Sequence, residues 1–234
     1  MNSTQQNPNL AQLSSGAAKL EPLLDRIAFV GGCVTGLLVT DLAAAPVRAT
    51  LDVDVIVEAA SYVEFTALEQ QLRQLGFRES RAEDAPVCRW VNEDLLLDFM
   101  PIDSSILGFS NRWYGPALQA AQKTSVGAYE IRIITAPYFV ATKLDAFHGR
   151  GKNDFRASHD LEDIVAIIDG RPAIVGEVHL APADLQEYIR DEFGKLLSNR
   201  DFLDSLPGHL LPDRASQQRV GSAFKRMQRM AVKG

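Results

Sequence analysis

Seven residues, Leu51-Asp52-Val53-Asp54-Val55-Ile56-Val57, restrict the fold of this chain more than any other stretch. β-Branched residues surround two aspartates, which favours an extended strand. Side chains alternate faces along a strand, so Asp52 and Asp54 point to one side and the valines to the other. The valine side calls for a buried core. The aspartate side sets two like charges together, at a cost in repulsion and desolvation. A cation held between them offsets that cost. Hard oxygen ligands suit Mg²⁺ or Mn²⁺, ions that commonly serve phosphoryl chemistry. A third carboxylate, Asp98, lies in another apolar run, Leu95-Leu96-Leu97-Asp98-Phe99-Met100.

The chain has 234 residues, enough for one large domain or two small ones. A hydrophobic fraction of 46% is ordinary for a globular core. The net charge of −6 does not draw nucleic acid, so any such binding must use local patches. Cys33 and Cys88 lie in apolar segments without zinc spacing and read as buried thiols of a reducing cytoplasm. No apolar run is long enough to predict a membrane span. The polar N-terminus lacks the basic-then-apolar order of a signal peptide and reads as a flexible tail over residues 1–16.

Periodicity predicts a helix over about residues 17–26, a strand over 27–30, a turn at Gly31-Gly32 and a helix over about 33–42. The acidic strand follows over 51–58, then an amphipathic helix over 62–74 that Gly76 ends. A short strand at 77–80, a hairpin of 87–91 with 95–100 around Asn92-Glu93-Asp94, and a strand over 129–134 complete an α/β half. Beyond about residue 135 the pattern is helical. Pro137 opens a helix to about His148, Gly149 to Asp154 form a glycine-rich basic loop, and Ser158 caps a helix over 159–168. Further helices are expected over 183–197 and 216–230.

The order Val30-Gly31-Gly32, helix, Asp52-Val53-Asp54, then Asp98 resembles the nucleotidyltransferase superfamily with the polymerase-β-like catalytic fold. The 20-position gap from Gly32 to Asp52 is longer than in its compact members. With Arg48-Ala49-Thr50-Leu51-Asp52-Val53-Asp54 it looks like the branch that includes AbiEii-type toxins. Ala141-Thr142-Lys143-Leu144-Asp145-Ala146-Phe147 and Ser158-His159-Asp160-Leu161-Glu162-Asp163-Ile164 resemble the later motifs of the same branch. The fold implied is α+β, a mixed sheet flanked by helices over residues 17–135, followed by a helical region over 136–234.

The resemblance also implies residue roles. Asp52, Asp54 and Asp98 would hold Mg²⁺ or Mn²⁺. Gly31 and Gly32 would receive an NTP, together with Arg48, Thr50, Lys143, Asp160 and Asp163. The acceptor would be a hydroxyl of an RNA end, a protein or a small molecule, and toxin members pair with an antitoxin protein. Blander readings stand beside these. Asp98 can pair with Arg89 across the hairpin, Lys143 can be a solvated helix lysine, and Asp160 and Asp163 can serve a helix dipole. The basic C-terminal helix, with Arg219, Lys225, Arg226, Arg229 and Lys233, can hold an RNA backbone or simply suit its own dipole. A non-catalytic nucleotide- or partner-binding module is the alternative for the whole chain.

Overall fold

The computed structural model describes residues 7–59, 61–150 and 154–233. In chain order these form α1 (Leu10–Lys19), β1 (Ile27–Val30), α2 (Thr35–Leu38), β2 (Asp52–Val57), α3 (Tyr62–Gln74), β3 (Arg78–Glu79), β4 (Arg89–Asn92) and β5 (Leu95–Pro101). Then come α4 (Ser104–Leu107), α5 (Tyr114–Gln119), β6 (Gln122–Val126), β7 (Tyr129–Ile133), α6 (Ala136–Arg150) and α7 (His159–Gly170). Four more helices, α8 (Ile174–His179), α9 (Ala183–Ser198), α10 (Arg200–Ser205) and α11 (Arg214–Met230), end the chain. They fall into two compact units: Asn7–Val34 with Arg48–Thr135, and Thr35–Val47 with Ala136–Gly234.

The first unit holds a seven-stranded mixed sheet of order β3-β4-β5-β2-β1-β7-β6. β2 runs parallel to β5 and antiparallel to β1, so it is central and flanked on both edges. Its valines Val53, Val55 and Val57 are fully buried. Gly16 of α1 lies against Val53 and Phe29, and Phe65 of α3 stacks on Phe99. Phe29 and Phe99 both pair with Val55, so α1 and α3 cover the valine face. The aspartates occupy the opposite face at the start of β2.

Several expected elements shift. The first helix starts at Leu10, within the stretch read as a tail, because Leu13 and Ala17 supply its buried face. It ends by Lys19 since Pro22, in a 3₁₀ turn over Glu21–Leu23, lacks the N–H needed to continue it. The helix expected over 33–42 is a 3₁₀ turn, Gly32–Val34, followed by the four residues of α2. Within the helical unit, Arg171 donates to Leu38 O, and the Thr40 and Asp41 amides donate to Gly170 O. These bonds take the backbone groups that a longer helix would use. β6 was missed because it is a polar, mostly exposed edge strand. Residues 1–6 of the expected tail and 151–153 of the basic loop lie outside the described residues.

In the second unit the predicted cap is made: Ser158 Oγ accepts from the Leu161 amide at the start of α7. Asp213 does the same for α11 through Ala215 and Ser216. Among the described residues, no helix is long and apolar enough to cross a membrane. Cys33 and Cys88 are both buried and unbridged.

Candidate functional site

Strand register assembles the acidic cluster. Asp54 pairs with Asp98 across the parallel β2–β5 ladder, and Asp98 pairs with Arg89 across the β4–β5 hairpin. Paired residues point to the same face, so Arg89, Asp98 and Asp54 form one row with Asp52 two residues upstream. Each of the three aspartates offers an oxygen within 4.8 Å of the others. Asp98 is buried, while Asp52 and Asp54 are half-buried.

Arg89 is bound into this cluster. Its Nε donates to Asp98 Oδ1 at 2.7 Å and its Nη2 to Asp98 Oδ2 at 2.8 Å. The same Nη2 reaches Asp52 Oδ2 at 2.6 Å. The Asp98 hydrogen bond is the main reason the guanidinium pKa lies above its ordinary value, with Asp98, Asp52 and Asp54 adding charge attraction against the cost of burial. Next to it, burial pushes the Cys88 thiol up to about 12, with the Asp98 and Asp54 carboxylates adding to the rise.

The diglycine turn lies against the cluster. Gly31 has φ +68°, a conformation that favours glycine. A Cβ built there would lie 1.9 Å from Asp54 Oδ2. The absence of a side chain at Gly31 is therefore what lets the Asp54 carboxylate sit beside the turn. The set of three carboxylates at this spacing, with a glycine making room for one, suits a hard divalent cation.

Asn9 positions this turn, and sequence reading missed it. Its Nδ2 donates to Arg48 O at 3.1 Å and to Gly32 O at 3.4 Å, and its Oδ1 accepts from the Thr50 amide at 2.9 Å. At 1% exposure it is a buried clamp between the diglycine turn and the approach to β2. An asparagine in a polar stretch carries no periodic signal, so nothing in the sequence singled it out.

Other expected residues are placed as follows. Thr50 Oγ1 donates to Asp52 O at 3.3 Å, so the hydroxyl is turned to its own strand. Arg48 Nη1 donates to Ala49 O at 3.4 Å. In the helical unit Lys143 is buried, donating to Asp163 Oδ2 at 2.6 Å and Asp160 Oδ1 at 3.2 Å. α6 and α7 thus bring together three residues that the sequence had marked separately. Of the C-terminal cations, Arg219 is tied to Asp169 and Asp41, and Arg226 donates to the carbonyls of Ile168 and Asp169. The dipole and internal pairing account for much of that basic stripe.

No protein-family model and no curated protein matches the chain. Solved structures do resemble it. An antigenic nucleotidyltransferase-like protein from Paracoccidioides brasiliensis superposes with a TM-score of 0.52 at 19% identity, over 84% of this chain and 92% of that one. A putative nucleotidyltransferase from H. pylori gives a TM-score of 0.48 at 11% identity, over 96% of this chain and 95% of that one. The mixed sheet with its flanking helices and helical C-terminal region is a nucleotidyltransferase-like fold.

Proposed function

We propose that the protein is a nucleotidyltransferase dependent on a divalent metal, moving an NMP from an NTP to a hydroxyl acceptor. The observation that carries this reading is the cross-strand row of Asp54 and Asp98 with Asp52, set against a glycine that leaves room for nothing but hydrogen. In the proposed step an acceptor hydroxyl oxygen forms a bond to the α-phosphorus. The bond to the bridging oxygen breaks, pyrophosphate leaves, and the hydroxyl proton passes to the carboxylate cluster. Asp52 and Asp54 would hold Mg²⁺ or Mn²⁺ against the phosphates, and Asp98 would complete a second metal position. Such an ion supplies charge compensation for the phosphoryl oxygens as they react. Gly31 and Gly32 keep the turn low enough for phosphate to approach the backbone. Arg48 and Thr50 border the strand that carries the carboxylates.

Lys143, Asp160 and Asp163 belong to this reading by their match to the branch motifs, the lysine serving the triphosphate. Membership of the toxin-like branch, with an antitoxin partner, rests on those same motifs. Incubation with α-labelled NTPs, Mg²⁺ and total cell extract tests the whole proposal. Label should enter one fraction: RNA, protein or small molecules. Asp54→Ala should lower incorporation at least about a thousandfold, and Lys143→Ala about a hundredfold. Full transfer by Asp54→Ala would end the mechanism.

The Arg89 pairing favours a second reading, a nucleotide-binding module in which an arginine takes over charge balance. That protein would be stabilised thermally by NTPs and release no pyrophosphate.

A further inference from the structure

We propose that Arg89 is a positioning residue that limits the acidic cluster to a single divalent ion in the absence of nucleotide. The inference rests on the cation-site reading above. A guanidinium and a carboxylate meeting through two parallel N–H···O bonds form a planar fork. The fork here engages both oxygens of Asp98, at 2.7 and 2.8 Å. It therefore uses the lone pairs of Asp98 on the Arg89 side, and only the outward ones remain for an ion. Among the described residues Asp52 is held through Oδ2 alone, so its other oxygen is the natural partner of Asp54 in gripping an ion. Two further facts make the fork rigid. Arg89 and Asp98 are register partners on adjoining strands, and Asp98 is buried at 8% exposure. Arg89 is itself only 21% exposed in its side chain, so solvent screens the pair weakly.

The consequence concerns ion number and affinity in the absence of nucleotide. With Arg89 in place, Asp52 and Asp54 hold one ion and Asp98 contributes little. Without the fork, Asp98 is released as a full ligand and the cluster gains one negative charge. A second ion then enters. A lysine keeps the charge but cannot make the fork.

Mn²⁺ titration followed by its paramagnetic resonance signal reads this directly on the full chain, with circular dichroism to confirm folding. The wild-type protein should bind one Mn²⁺. Arg89→Gln should bind two, the first roughly tenfold more tightly. Arg89→Lys should also bind two, and Arg89→Gln combined with Asp98→Asn should return to one. Asp98→Asn alone should keep the single ion, a stoichiometry that stands even if the Arg89 variants fold poorly. Two ions on the wild type, one on Arg89→Gln, wild-type stoichiometry in Arg89→Lys, or loss of the ion in Asp98→Asn would each overturn the role of the fork. Absence of Mn²⁺ binding in every folded protein would instead overturn the cation-site reading, and this inference with it.

Discussion

Gly31 is where one atom decides the chemistry. Its φ of +68° already disfavours a side chain, and a methyl group there would overlap the Asp54 carboxylate. Gly31→Ala should displace Asp54, with transfer falling about a hundredfold while the protein stays folded. Steady-state incorporation, beside a thermal melt, checks it. At this scale much was legible. Strand alternation alone puts Asp52 and Asp54 on one face, and the second apolar run supplies Asp98 for the neighbouring strand. The Arg89–Asp98 pair was legible too, as the bland alternative to metal binding, and the geometry makes it part of the same cluster. Asn9 was not, because its role comes from three backbone groups far away in sequence.

Among elements, strongly periodic segments kept their expected bounds. α3 spans Tyr62–Gln74, with Ser61 Oγ accepting from the Glu64 amide, and β1 spans Ile27–Val30. Elements fixed by distant contacts did not. α2 stops after one turn because α7 and the residue after it, Arg171, capture its outgoing backbone. α7 is also where α11 is anchored. Arg219 grips both oxygens of the buried Asp169 and reaches Asp41, whose carboxyl it holds below the usual range. Arg219→Met should leave Asp169 buried without that partner. We expect a loss of about 2 kcal/mol in urea unfolding, less than for a fully buried pair because Arg219 is partly solvated. An RNA-binding role for the arginine would instead show as lost RNA affinity at unchanged stability.

For the whole molecule, pH enters through His209. Its Nε2 donates to Phe155 O, and burial lowers its pKa below the ordinary histidine value, with that hydrogen bond, Glu162 and Asp154 opposing. Above about pH 6.5 the ring is neutral whether folded or unfolded. As pH falls through that value the unfolded chain takes up the proton first, so stability drops until the lowered folded pKa is reached. The melting temperature should fall on acidification from pH 7, and His209→Gln should flatten that part of the profile.

The pattern of expected elements suggested an α/β half followed by a helical half, divided near residue 135. The actual division is interleaved, because the stretch Thr35–Val47 belongs with Ala136–Gly234. Tertiary hydrogen bonds place it there, and no local pattern announces them. A fragment of residues 136–233 should therefore melt lower, and with a broader transition, than the same fragment supplied with a peptide of residues 35–47. Anyone wishing to borrow the helical part for a chimera would have to transplant two separate stretches of chain, and a simple swap at one junction would bequeath an unfinished body to each parent.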